Sequence, residues 1–175
     1  MSPALIFNLH LVFGYVAWLL CAGVYILPRL KAMDRVDAQR AIATLHSFRF
    51  FGLVFILPGI VGPHLPVGFP AFAAFGDFAT GILALLALLT IRIRPVFWSF
   101  VVAFNIVGAV DIIVDYYHGV TLNLPAVSGE LGSTYGIVII YVPLLMITHF
   151  IAFYFLIRHQ SKMAHAVTAM WSQPR

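Results

Sequence analysis

Long apolar runs alternate with short polar connections along the whole chain, falling at 4–27, 45–63, 71–91, 96–117 and 135–157. Each is close to the ~20 residues an α-helix needs to cross a hydrocarbon layer at about 1.5 Å per residue. None shows the strict alternation of a barrel strand. The pattern therefore predicts an all-α fold, a single domain over 1–175 built as an integral bundle of five transmembrane helices. No internal repeat is evident, which argues against a transporter made of inverted halves.

Local signals refine the ends of these runs. In MDRVDAQRAIATLHSFR, Asp34 is an N-cap with Asp37 in the first turn, which predicts a cytosolic helix starting near Val36 and leading into the second span. Pro58 is expected to kink that span, and Pro63 and Pro66 to enforce an extended turn after it. Trp98 is expected to anchor the fourth span at the interface. The tail RHQSKMAHAVTAMWSQPR is weakly amphipathic and is expected to lie on the inner surface.

Charge orients the bundle. The ten Lys and Arg residues lie after the first, third and fifth runs or at the start of the second, where Arg49 is expected to snorkel to lipid phosphates. The 64–70 turn and the 118–134 loop carry none. This asymmetry predicts the amino terminus outside and the carboxyl terminus in the cytoplasm.

Composition agrees with a membrane location. Hydrophobic residues make up 62% of the 175 and charged residues 9%, against the ~25% charge of an ordinary soluble domain. Mean hydropathy is +1.01. The net charge of +4 comes from topology-setting connections, so nucleic acid is not an expected partner. The expected partners are the lipid bilayer and a small-molecule or lipid-like ligand. The first run lacks a basic leader and ends at Pro28-Arg29, so it is expected to stay as a span. Cys21 is the one cysteine and is expected to be a small buried hydrophobe. The small face Gly14/Ala17/Cys21 suits either internal packing or a homo-oligomer contact.

The informative residues are the polar ones inside the runs, because an ionisable group at bilayer depth costs about 2.5–3.5 kcal/mol on insertion scales. His10, Asp77 and Asp111 are expected at one height in the outer half, on three different spans. Asp115 and His118 share the face of Asp111, with Asn105 deeper on its flank, and His64 and Glu130 surround the layer above. Together they predict an outward-facing pocket. A second, looser set is His149, His46 and Arg49; His149 is expected to donate to a backbone carbonyl freed by Pro143 and to be alone in its layer.

Two carboxylates and a histidine suit a hard or borderline metal, with His10, Asp77 and Asp111 as candidate ligands. Haem would need a facing histidine pair, or one proximal histidine. Neither cofactor is favoured by spacing, since no His-x-x-x-His or Glu-x-x-His pair occurs. A buried carboxylate could also carry a proton. Ser47, Ser99 and Ser133 lack a His–Asp arrangement for nucleophilic catalysis.

The pieces HSFRFFGLVFILPGIVGPHLP, FGDFATGILALLAL, FNIVGAVDIIVDYYHG and YVPLLMITHFIAFYFLIR resemble, in their order over 46–158, an uncharacterised group of small five-span bacterial membrane proteins. That resemblance implies topology and a bacterial cytoplasmic membrane, and no activity. Tyr141-Val142-Pro143 is similar to the Tyr-x-Pro of the last span in the sterol-isomerase and sigma-2-receptor superfamily, where Asp77 and Asp111 would stand for intramembrane acids. The chain departs from that superfamily in having five runs rather than four and a histidine at 149. The expected function is binding, and possible transport, of a small cationic or amphiphilic ligand by the outer pocket. The alternatives are an intramembrane enzyme or metal or haem redox protein using the same residues, and a structural subunit of a larger complex.

Overall fold

A computed structural model of the chain describes residues 1–66 and 68–171, with side chains as far as Ile157. The expectation for the tail from Arg158 onward therefore lies outside the described side chains. The described residues form helices and turns, with no strand among them. Among the described residues, four helices are long and apolar enough to cross a membrane: α1 (Pro3–Ala32), α3 (Gly68–Leu89), α4 (Arg94–Thr121) and the stretch Ile137–Ile157, in which a π-helical turn (Ile137–Tyr141) leads into α5 (Val142–Trp171).

The second run takes a different form. Asp34 caps α2 (Arg35–Ser47) by accepting from the N–H groups of Val36 and Asp37 at 2.8 and 2.9 Å. The helix is not a free cytosolic segment, because Ala38, Ile42 and Ala43 are buried against Ala84, Phe97 and Ala152. Gln39 donates to the Ala152 carbonyl at 3.0 Å, and the Arg35 guanidinium lies 4.0 Å from the Trp98 ring centre. At Phe48 the coil tightens into a 3₁₀ segment, Phe48–Ile56. Nine residues at ~2.0 Å rise extend farther than α-helix would, about 18 Å. Pro58 ends this segment rather than kinking it: Leu57 is already extended, as the residue close before a proline prefers.

Two apolar clusters mark the ends of the bundle. One joins Leu30, Ala38, Ile42, Ala87, Phe97 and Ala152; the other joins Phe7, Phe55, Phe69, Leu131 and Val138. The 35–56 segment begins in the first cluster and ends in the second, so it runs the length of the bundle. At the second end, Glu130 does not face a shared polar layer. Its carboxylate accepts from the His64 N–H at 3.0 Å and its carbonyl from the Gly62 N–H at 2.7 Å, clamping the 57–66 turn.

Two π-helical turns share one cause. Ala22–Ile26 and Ile137–Tyr141 each end two residues before a proline, Pro28 and Pro143. A helical proline lacks an N–H and its ring collides with the carbonyl four residues back. Here those carbonyls belong to Val24 and Ile139, each inside a widened turn that makes room for the ring. In the turn that precedes α5 the loosened carbonyls face α1. The Trp18 indole donates to Ile140 O at 2.8 Å, and Gly14 lets Ile139 O approach where a Cβ could not fit. One part of the small-residue face of α1 is therefore used inside the chain.

Candidate functional site

The centre of the bundle is built around Arg49, which is 1% exposed. Its position follows from the start of α2. A helix beginning at Arg35 carries residue 49 roughly 20 Å inward, rather than the single turn expected from a span beginning at 45. Snorkelling is thus excluded by geometry. The guanidinium spans two carboxylates, with Nε donating to Asp77 Oδ1 at 2.6 Å and Nη2 to Asp111 Oδ2 at 2.5 Å. Nη1 reaches Gly108 O at 3.3 Å and His149 Nε2 at 3.2 Å. The rigid fork of arginine suits this bridging between helices better than the single ammonium of lysine.

Hydrogen-bond logic fixes the two imidazoles. Arginine only donates, so His149 Nε2 accepts and its Nδ1–H donates to Asn105 Oδ1 at 2.9 Å. Asn105 Nδ2 then donates to Val101 O at 2.8 Å. His149 is therefore not bound to a carbonyl freed by Pro143, and it is not alone: the His46 ring centre is 4.0 Å from its own. Thr148 Oγ1 donates to the carbonyls of Leu144 and Leu145, so it accepts the His46 Nε2–H at 3.0 Å. The sequence-predicted inner set and Asp77, Asp111 and Asn105 form one network.

Three glycines make this network sterically possible. A Cβ at Gly52 would collide with the Asp77 side chain, one at Gly76 with Asp111, and one at Gly108 with both Arg49 and His149. Burying an ion cluster is favourable only when geometry and hydrogen bonding are good, and these clearances supply the geometry.

The other expected members lie elsewhere. His10 is exposed and shares a 2.9 Å hydrogen bond with the Tyr135 hydroxyl, so it does not join Asp77 and Asp111. The three candidate metal ligands do not converge, and no group of three His, Cys, Asp or Glu side chains placed to hold a metal occurs among the described residues. His118 packs edge-on to Phe72, 4.9 Å between ring centres, with its Nδ1 unpartnered. His64 is exposed.

Asp115 sits one turn beyond Asp111 on α4 and opens a second feature. It lines a cavity of about 120 Å³ at the Phe7–Phe69 end of the bundle. The walls are apolar and aromatic: Phe7 and Leu11 from α1, Phe55 from the 3₁₀ segment, Phe69 from α3, Tyr116 and Val120 from α4, Leu124 and Pro125, then Val138 and Val142. Asp77 also lines it, so the carboxylate that holds Arg49 on one side meets the cavity on the other. Asp115 Oδ1 has no hydrogen-bond partner, and neither does Asp111 Oδ1 behind it. The Tyr116 hydroxyl is held by that of Tyr15 at 2.7 Å.

Arg49 as the central cation and the aromatic lining were the features sequence reasoning missed. The signal for the first was present: buried carboxylates require a positive partner, and Arg49 was the one basic residue inside a run. The aromatic wall left no distinguishing signal among the chain's 16 Phe residues, since lipid-facing and cavity-facing rings look alike in sequence.

No curated protein and no solved structure matches this chain. One family does, described as a domain of unknown function, DUF8737, and it matches residues 6–157. That range holds every residue of the Arg49 network and of the cavity, and the chain belongs to the DUF8737 family.

Proposed function

We propose that the protein is a five-crossing protein of a bacterial cytoplasmic membrane that binds a small alkylammonium in the Asp115 cavity. The fifth crossing is α2 with its 3₁₀ extension, which runs between the two ends of the bundle. With the Lys- and Arg-bearing connections in the cytoplasm, the cavity lies toward the outer face.

The observation that carries the reading is Asp115, a carboxylate that lines an apolar cavity and whose buried Oδ1 has no hydrogen-bond partner. Charge points the same way. Arg49 supplies one positive charge to a cluster that contains Asp77, Asp111 and Asp115, so the cluster is short of cations. Phe7, Phe55, Phe69 and Tyr116 line the cavity, and aromatic rings attract alkylammonium groups through their quadrupoles. The volume of about 120 Å³ restricts the ligand to a compact one, since a dry cavity that accommodates benzene is somewhat larger, about 150 Å³.

The test is thermal stabilisation of the purified protein by methylammonium and tetramethylammonium, compared with tert-butanol and acetate. A ligand at 100 times its Kd stabilises by about 2.7 kcal/mol. The ammonium ions should raise Tm, and Asp115→Asn should abolish the rise while leaving the unliganded Tm close to that of the parent. Equal effects from the neutral and cationic compounds sink the reading. Uptake of tetramethylammonium into proteoliposomes separates carriage across the membrane from binding alone.

A further inference from the structure

Two buried carboxylate oxygens among the described residues have no hydrogen-bond partner, and they belong to residues one helical turn apart. Asp111, 5% exposed, gives Oδ2 to Arg49 and keeps Oδ1 unpartnered; Asp115 lines the cavity and keeps its buried Oδ1 unpartnered. We propose that the Asp111–Asp115 pair holds one proton while the cavity is empty, and that an entering alkylammonium displaces it, so that binding exchanges one cation for one proton. The inference rests on the alkylammonium reading and adds the coupled ion to it.

The argument is one of charge balance in an apolar setting. The titratable groups around the pair come from several elements, with Tyr141 and His149 lying beyond them, Tyr141 toward Asp77 and Arg49 and His149 against Arg49. Asp77 comes from α3 and Arg49 from the 3₁₀ segment, while α4 itself supplies Tyr116 and His118. From α1, Tyr15 hydrogen-bonds the Tyr116 hydroxyl, and Asn8 is neutral. Leu124, Pro125, Val138 and Val142 bring no charge. The guanidinium is already committed to Asp77 and Asp111. A further negative charge would lie in low dielectric without a counter-ion, and such a group neutralises itself by taking a proton. Asp115 has no cation of its own and lies one helical turn from Asp111, and carboxylates that interact titrate as a pair. When a permanent cation occupies the cavity it becomes the counter-ion, and the proton leaves to solvent. No bond other than the O–H is made or broken, and charge is conserved in the exchange.

The sign is definite. Raising pH removes the competing proton, so cation affinity increases with pH, by about tenfold per unit while the pair is protonated when empty. Tetramethylammonium is the right probe because it has no proton of its own to release. Wild-type protein in weakly buffered detergent solution with a pH-indicator dye should release close to one proton per tetramethylammonium bound, and tert-butanol should release none. The variant His118→Gln should behave like the parent, because the imidazole lies outside the cavity. Tetramethylammonium binding with no proton release and no pH dependence overturns the exchange and leaves the binding reading intact. Release that disappears in His118→Gln assigns the proton to the imidazole and also overturns the proposal. Absence of any tetramethylammonium binding overturns both.

Discussion

Arg49 Nη1 and His149 Nε2 lie 3.2 Å apart, and that single contact determines the protonation pattern of the middle of the bundle. A guanidinium cannot accept, so the imidazole must present a lone pair to it and carry its proton on the side of Asn105. Asn105 is then oriented in turn. The consequence for His149→Phe is definite: ring volume is retained, while Arg49 loses an acceptor and Asn105 a donor. One Nη1–H of Arg49 and the Asn105 Oδ1 are left without partners, at about 1–3 kcal/mol each, which should lower stability by roughly 2–6 kcal/mol. His149→Gln, which can accept and donate, should recover part of it. Denaturation of the purified protein in one detergent reads both variants.

Removing the cation should be worse than removing its neutral neighbour. Arg49→Met leaves Asp77 and Asp111 facing each other without compensation, and breaking a buried pair from one side typically costs about 3–5 kcal/mol. Arg49→Lys keeps the charge but has one short head to serve two carboxylates on two helices, so it should fall between parent and Met. Adding Asp77→Asn and Asp111→Asn to Arg49→Met removes the stranded charges and should restore stability, an interaction that a double-mutant comparison reveals. If Arg49→Met unfolds no more readily than the parent, the network is not what holds these helices together.

The junction between α1 and α5 makes a separate prediction. Trp18 Nε1 donates to Ile140 O at 2.8 Å, within the π-helical turn that precedes Pro143. Trp18→Phe should cost about 1 kcal/mol by loss of that hydrogen bond. Gly14→Ala should cost more, because its new methyl would meet the Ile139 backbone carbonyl, which has no flexible end to move aside. In a Pro143→Ala background the carbonyl is free to bond within its own helix, and the penalty of Gly14→Ala should shrink. Unfolding of the four proteins, singly and combined, measures that coupling.

The cap of α2 is sensitive to acid. The backbone N–H groups of Asp37 and Val36 hold the Asp34 carboxyl below its ordinary value, with Asp37 the larger influence. A carboxylate with a depressed folded value stabilises above its unfolded value and loses that contribution as pH falls through the folded one. Amide exchange over the first turn of α2, from Arg35 to Ala38, should therefore accelerate as pH is lowered into that range, after correction for intrinsic rates. Asp34→Asn should keep the cap without the pH response, and Asp34→Ala should fray the turn at every pH.

Much of this was legible in the amino acids, and the failures have physical causes. The apolar runs located the four long helices within a few residues, because burial in lipid needs only length and hydropathy. Asp34 marked the start of α2 through its capping chemistry. The depth of Arg49 was misjudged because hydropathy does not register a polar amphipathic helix such as 35–47, which nonetheless packs into the bundle through Ala38, Ile42 and Ala43. Starting the count at the first apolar residue placed Arg49 at an interface. His10 was misassigned for a different reason: depth along α1 follows from spacing, but the direction it faces depends on how α1 packs, and α1 turns His10 to Tyr135. Gly52, Gly76 and Gly108 carried no visible meaning until the groups they make room for were in place.

Topology supplies the last test, and Cys21 makes it practical, since it is the one cysteine in the chain. In a Cys21→Ser background, single cysteines can be placed at exposed sites at either end of the bundle. Ser133 lies in the exposed part of the 124–134 segment, near the cavity end, and Met33 lies exposed between α1 and α2 at the other. A membrane-impermeant maleimide added to intact cells should label Ser133→Cys and spare Met33→Cys; both should react after permeabilisation. The four long helices alone do not dictate this result, because without a crossing by 35–56 the segments on its two sides would open on the same face. Labelling of both sites from outside in intact cells would mean that α2 and its 3₁₀ extension return to the surface they left. Labelling of Met33→Cys alone would keep five crossings and invert them, turning the cavity toward the cytoplasm and reversing the side from which an ammonium ion must enter.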